Sequence, residues 1–155
     1  MRSIVPAFAR NGGSTGFYLS ERASLRRLRI LVIDDDPILI RSLSEALESD
    51  GHQLVTALGG EAGIEAFSAS LGTEREFEMV ITDLGMPRVD GRRVAAAIKA
   101  MSARTPIILL TGWGQRLLDE KSLPEHIDRV LSKPPRLNQL RAALVELLNP
   151  QDPAL

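Results

Sequence analysis

Five polar side chains stand out because each closes a short apolar run. Asp34 and Asp35 follow Ile30-Leu31-Val32-Ile33, Asp83 follows Met79-Val80-Ile81-Thr82, Thr111 follows Ile107-Ile108-Leu109-Leu110, and Lys133 follows Val130-Leu131-Ser132. Together they offer three carboxylates, one hydroxyl and one ammonium. Carboxylates gathered in one place repel and do not all stay ionised unless a cation joins them. With oxygen ligands only, and neither Cys nor His nearby, that cation is expected to be Mg²⁺, with Mn²⁺ as the alternative. One carboxylate could then act as a nucleophile and form an acyl phosphate. Lys133 would bring positive charge to the transferring group and Thr111 a hydroxyl donor. Phosphoryl transfer needs little beyond positioning and charge neutralisation, and this set supplies both.

Such a site exists only if the fold brings the five together. The apolar runs at 29–33, 52–57, 78–82, 106–110 and 129–132 are short and rich in β-branched residues, as buried strands are. Between them lie helical patterns. The first opens at Asp36-Pro37, a cap followed by a proline at the first helical position, and ends at Asp50-Gly51. Its expected apolar stripe is Leu39, Leu43, Ala46 and Leu47. Residues 61–70 place Ile64, Phe67 and Leu71 on one face. Val94, Ala97, Ile98 and Met101 form the next stripe, and 115–121 a short helix stopped by Pro124. A last helix carries Leu137, Leu140, Leu144, Leu147 and Leu148 before Pro150. Five strand–helix alternations predict a parallel sheet covered on both faces. In such sheets ligands bind beyond the carboxyl ends of the strands, where all five polar residues would then stand.

The 155 residues suit one domain plus a tail, and 44% hydrophobic content suffices for a core. There is no cysteine, so a disulfide framework or thiolate zinc site is excluded, which fits a reducing cytoplasm. A net charge of −1 gives no general reason to expect nucleic acid or a membrane as partner. The charge is uneven: residues 1–29 hold six arginines against Glu21 alone. Residues 1–27 lack periodicity and contain Asn11-Gly12-Gly13-Ser14, so they read as a flexible basic leader or linker. The ordered domain is expected over 28–149, with a short tail at 150–155.

Over roughly residues 28–148 the sequence resembles response-regulator receiver domains. The resemblance rests on Asp34-Asp35, on Thr82-Asp83-Leu84-Gly85-Met86-Pro87 followed by Asp90-Gly91, on Leu110-Thr111-Gly112, and on Ser132-Lys133-Pro134. Each motif alone is weak; four in order at strand ends are specific. The resemblance implies a flavodoxin-like doubly wound sheet of five parallel strands in the order 2-1-3-4-5 with five helices. It implies that Asp83 accepts phosphate from a phosphohistidine on a sensor histidine kinase or phosphotransfer protein. Asp35, Asp83 and the Gly85 backbone carbonyl would hold Mg²⁺ directly, and Asp34 through water. Lys133 would pair with Asp83 and later with the phosphoryl group, while Thr111 would report phosphorylation to the surface. The Lys133-Pro134 bond is expected to be cis. Output would be binding to a downstream protein, by a monomer or a weak homodimer. The stretch from the third strand through Thr111-Gly112-Trp113-Gly114 is similar to receivers at the carboxyl end of hybrid sensor kinases, and Arg10 to Leu19 is similar to the tail of a kinase ATP-binding domain, for which a linker is the simpler reading.

Three positions depart from the family pattern. Val130 stands where relatives carry a rotating aromatic switch, so Trp113 is the candidate to take over part of the readout. Relatives also use side chains at the Gly85 and Trp113 positions to place or block attacking water, which predicts slow self-dephosphorylation here. Two other functions compete with the signalling switch. Asp34 and Asp36 have the spacing of an aspartyl-phosphate hydrolase, although no cap insertion is present, and a non-phosphorylated scaffold would retain only the fold. Blander roles suit the remaining polar residues: Asp36 as a helix cap, Asp90 in a turn, Arg92 and Arg93 on a solvated face, His52 and His126 without catalytic partners.

Overall fold

The computed structural model describes residues 26–112 and 123–149. Its elements are β1 (Arg29–Asp34), α1 (Pro37–Ser49), β2 (Gln53–Leu58), α2 (Gly60–Ser70), β3 (Met79–Asp83), α3 (Gly91–Met101), β4 (Ile107–Thr111), β5 (Arg129–Ser132) and α4 (Leu137–Leu148). The five strands form one sheet in the order β2-β1-β3-β4-β5, every pair parallel. This is the predicted flavodoxin-like doubly wound sheet. Four helices lie among the described residues; the fifth, expected at 115–121, falls outside them.

Alternation along the central strands divides the core in two. Ile30, Val32, Met79, Ile81, Ile108 and Leu110 meet α1 and α4 on one face. Leu31, Ile33, Val80, Ile107 and Leu109 meet α2 and α3 on the other. A strand buried on both sides must be apolar throughout, which is why β1, β3 and β4 read as unbroken hydrophobic runs. Each Ile or Leu so enclosed contributes about 1.5–3 kcal/mol.

The helix stripes differ in detail from expectation. On α1 the buried line is Ile40, Leu43 and Leu47, with Leu39 and Ala46 half-buried. On α2 it runs through Gly60, Gly63, Phe67 and Ser70, while Ile64 is half-buried and Leu71 caps the end. Glycine lets that helix lie close to its neighbours, so the line of nearest approach runs through Gly60 and Gly63 as well as Phe67. On α3, Ala95 is buried in place of Ala97 and Met101, and on α4 Ala143 joins Leu140 and Leu144. β2 starts one residue later than expected, at Gln53. His52 precedes it, buried, and accepts the Leu28 N–H on Nδ1 at 3.1 Å. Arg26 and Arg27, read as the end of the leader, pair with Glu78 and with the Gly51 carbonyl at 3.2 and 3.0 Å.

Candidate functional site

Three of the polar residues that close the apolar runs are themselves the last residues of strands. Asp34 pairs in register with Leu58, Asp83 with Leu110, and Thr111 with Ser132. The ladder therefore fixes their backbone, and the end of the apolar run turns their side chains over to the rim. Asp35 follows β1 and is exposed, and Lys133 follows β5. The Lys133 N–H donates to the Thr111 carbonyl at 3.1 Å, which carries the pairing of β4 and β5 one step further. The Lys133-Pro134 peptide is cis, as expected.

The side chains converge. Lys133 Nζ donates to Asp83 Oδ1 at 3.0 Å and stands 3.2 Å from Asp34 Oδ2. Asp34, Asp35 and Asp83 each present a carboxylate oxygen, all within 4.8 Å of one another. Asp34 and Asp83 are only 2% and 4% exposed, and Thr111 is equally enclosed at the end of β4. Asp34 Oδ1 accepts the Asp36 N–H at 2.9 Å, whereas the buried Asp34 Oδ2 has the Lys133 ion pair and, among the described residues, no further partner.

The electrostatics are those of an excess of negative charge. Burial pushes the Asp34 carboxyl above its usual range, and the neighbouring Asp83 adds to this. The Asp36 N–H and Lys133 pull the other way without prevailing. For Lys133, burial alone would lower the ammonium, but hydrogen bonds and charge from Asp83 and Asp34 outweigh it and hold the pKa above 10.5. Three carboxylates against one ammonium leave a formal −2, the charge a divalent cation cancels. The buried Asp34 Oδ2, contacted among the described residues by the Lys133 ammonium alone, the oxygen-only donor set and the shared rim all fit a hard divalent ion.

Other predicted residues take simpler places. Asp36 accepts the N–H groups of Ile38 and Leu39 and so caps α1, which removes it from the rim and with it the Asp34–Asp36 pairing of the hydrolase reading. Asp90 caps α3 through the Arg93 N–H at 3.0 Å. Arg92 and Arg93 are exposed. Gly85 lies exposed in the loop after β3, and among the described residues nothing occupies the place of its missing side chain. Val130 is buried among the apolar residues that pack against α2 and α3. Trp113 lies outside the described residues.

Two contacts beside the site escaped the sequence reading. A Cβ on Gly91 would fall 2.3 Å from the Asp83 carbonyl, so only glycine lets α3 begin against the strand that carries Asp83. The Thr82 hydroxyl, buried on β3, donates to that same carbonyl at 3.0 Å. Asp90-Gly91 and Thr82-Asp83 were visible as sequence pairs, but nothing in their spacing reveals a shared backbone oxygen.

Comparison with known proteins agrees with this arrangement. The family described as "Response regulator receiver domain" matches residues 30–145. The transcriptional regulatory protein TcrA of Mycobacterium tuberculosis is 30% identical over 117 residues, covering 76% of this chain and 44% of TcrA. The sensor histidine kinase RcsC of Escherichia coli is 31% identical over 117 residues, 76% of this chain and 12% of RcsC. The chain thus spans less than half the length of either protein. Among solved structures, the response regulator TrrA of Thermotoga maritima, in complex with Mg²⁺–BeF, superposes with a TM-score of 0.67 at 30% identity, over 77% of this chain and 98% of that one. Sequence, sheet order and rim chemistry meet on one assignment: the chain belongs to the response regulator receiver domain family, the phosphoacceptor domains of two-component signalling.

Proposed function

We propose that Asp83 is the phosphoacceptor of this receiver, taking a phosphoryl group from a phosphohistidine of a sensor histidine kinase or a phosphotransfer protein. The observation that carries this is the convergence on Asp83 of the Lys133 ammonium at 3.0 Å and of two further carboxylates within 4.8 Å. An Asp83 oxygen attacks phosphorus, a P–O bond forms, the P–N bond breaks, and its electron pair returns to the donor imidazole. Mg²⁺ is the preferred ion: Asp35, Asp83 and the Gly85 carbonyl would hold it, with Asp34 acting through water, and it would neutralise charge on the transferring phosphoryl oxygens. The complex of TrrA with Mg²⁺–BeF supports this choice of metal.

Lys133 holds Asp83 in place before transfer and follows the phosphoryl charge afterwards. Thr111, on the neighbouring strand end, supplies a hydroxyl to a phosphoryl oxygen and so reports the new charge to the surface beyond β4. The consequence is a changed docking surface for a protein partner. The test is incubation with acetyl phosphate and Mg²⁺ followed by intact-mass measurement. A gain of one phosphoryl group, absent in Asp83→Asn, is the expected result; a gain that persists in Asp83→Asn overturns the assignment.

A further inference from the structure

The loop from Leu84 to Asp90 carries Gly85, yet among the described residues nothing packs over Gly85 itself: a Cβ built there meets none of their atoms within 4 Å. Its place is inherited from its neighbours. Leu84 is held by two backbone bonds, its N–H to Leu110 O at 2.9 Å and its carbonyl from the Gly91 N–H at 2.8 Å. Met86 is buried in the core. Val89 packs half-buried against the same cluster, and its N–H reaches the Pro87 carbonyl at 2.7 Å.

Val89 also rests on the first residue of α2. A Cβ on Gly60 would lie 2.3 Å from the Val89 carbonyl oxygen, 2.8 Å from its Cγ1 and 2.9 Å from its Cβ. Those atoms are backbone and the stem of a β-branched side chain, and neither can swing aside. Gly60 is helical, a conformation any residue adopts, so its need for glycine is one of space alone. The loop bearing the Gly85 carbonyl is therefore seated directly on the start of α2.

We propose that Gly60 is a positioning residue for the divalent-ion site, setting where the 84–90 loop holds the Gly85 carbonyl. This rests on the reading above in which that carbonyl is a ligand. An added methyl must open the 2.3 Å contact by about 1 Å to reach ordinary separation. Mg²⁺ tolerates little departure from octahedral geometry, and disturbed outer contacts of metal sites cost about ten- to a hundredfold in affinity.

The experiment compares Gly60→Ala with Gly63→Ala, which lies on the same helix and would set a Cβ 2.4 Å from Ile33 Cδ1, a side-chain end rather than the loop. Mg²⁺ affinity is read by calorimetry, loop geometry by backbone amide shifts of residues 84–90 in metal-free protein, and folding by thermal melts. Gly60→Ala is expected to shift those amides and to raise the Mg²⁺ dissociation constant about tenfold, whereas Gly63→Ala lowers the melting temperature with Mg²⁺ affinity unchanged. Should Gly60→Ala fail to fold, Val89→Ala disturbs the same contact from the loop side and is expected to weaken Mg²⁺ in the same sense. Wild-type affinity and unmoved amides in Gly60→Ala, or in Val89→Ala where that is the variant used, overturn the proposal. Wild-type protein that binds no Mg²⁺ overturns the metal reading instead, and the metal-free amide shifts then still decide whether Gly60 seats the loop.

Discussion

The Lys133 ammonium lies 3.0 Å from the Asp83 carboxylate, although 50 positions separate them in sequence. The same ammonium makes a second contact, to the Asp34 carboxylate at 3.2 Å. One cation thus restrains two buried anions. Removing it in Lys133→Ala leaves both carboxylates to the metal alone. Phosphorylation by acetyl phosphate, followed by intact mass, is expected to slow by about a hundred- to a thousandfold, the usual cost of losing one preorganised charge from a transferring group. Mg²⁺ affinity should hold or rise, because the competing ammonium is gone. Slowing through lost Mg²⁺ binding would contradict this role for Lys133.

Asp34 predicts a metal-dependent reversal of stability. Burial raises its pKa above 3.8, so the folded protein binds the proton more tightly than the unfolded chain does. Its favourable contribution is full below about pH 3.8 and disappears as pH rises through the folded value, leaving the ionised, buried carboxylate as a cost at neutral pH. Asp34→Asn should therefore melt higher than wild type in EDTA, by on the order of 1 kcal/mol or a few degrees. Millimolar Mg²⁺ should raise the wild-type melting temperature, by an amount worth about 2.7 kcal/mol at a hundredfold excess over its dissociation constant. In Asp34→Asn and Asp35→Asn that gain should shrink. A variant with the full Mg²⁺ gain would show its carboxylate to be idle.

The rim was legible in sequence because polar residues that end apolar strands have no structural reason to be there. Asp34, Asp83 and Thr111 each sit at the last ladder position, where side chains of the core give way to solvent. Alternating strands and helices sufficed to place them together. Contacts between different elements in which one partner is a backbone atom were not legible: Gly91 against the Asp83 carbonyl, Gly60 against the Val89 carbonyl, His52 against the Leu28 N–H. Such contacts depend on how closely two elements approach, and that distance is set by packing across the whole sheet. The same cause moved the buried line of α2 from Ile64 to Gly60 and Gly63.

Gly85 bears on the lifetime of the phosphorylated state. With no side chain it cannot orient water toward an aspartyl phosphate, so the phosphoprotein should persist for minutes or longer once purified from its donor. Among the described residues the space about Gly85 is open, with nothing within 4 Å of an added Cβ. Gly85→Asn should thus fold normally and place an amide at the rim. Its phosphoryl half-life, followed by intact mass after removal of acetyl phosphate and excess Mg²⁺, is expected to fall about tenfold. A wild-type half-life of seconds would contradict the assignment of slow hydrolysis to this glycine.

His52 makes the opposite end of the domain sensitive to pH. Its Nδ1 accepts the Leu28 N–H at 3.1 Å, so the ring must carry its proton on Nε2. Burial lowers its pKa below 6.5, and the carboxylates of Asp50 and Glu78 oppose this without overcoming it. The unfolded chain therefore takes up the proton more readily. Stability from this group is complete above pH 6.5 and is lost as pH falls from there through the folded pKa. Protonation would also turn Nδ1 into a donor facing another donor, releasing the Leu28 N–H where the chain enters β1. Urea unfolding at pH 8 and at successive steps below 6.5 should show wild type weakening across that window. His52→Gln should be destabilised by about 1 kcal/mol at pH 8, the worth of one buried hydrogen bond, yet show a shallower decline below 6.5. The second histidine, His126, is exposed and present in both proteins, so it cancels from the comparison. Parallel curves for the two proteins would mean that the acid sensitivity arises from the carboxylates rather than from His52.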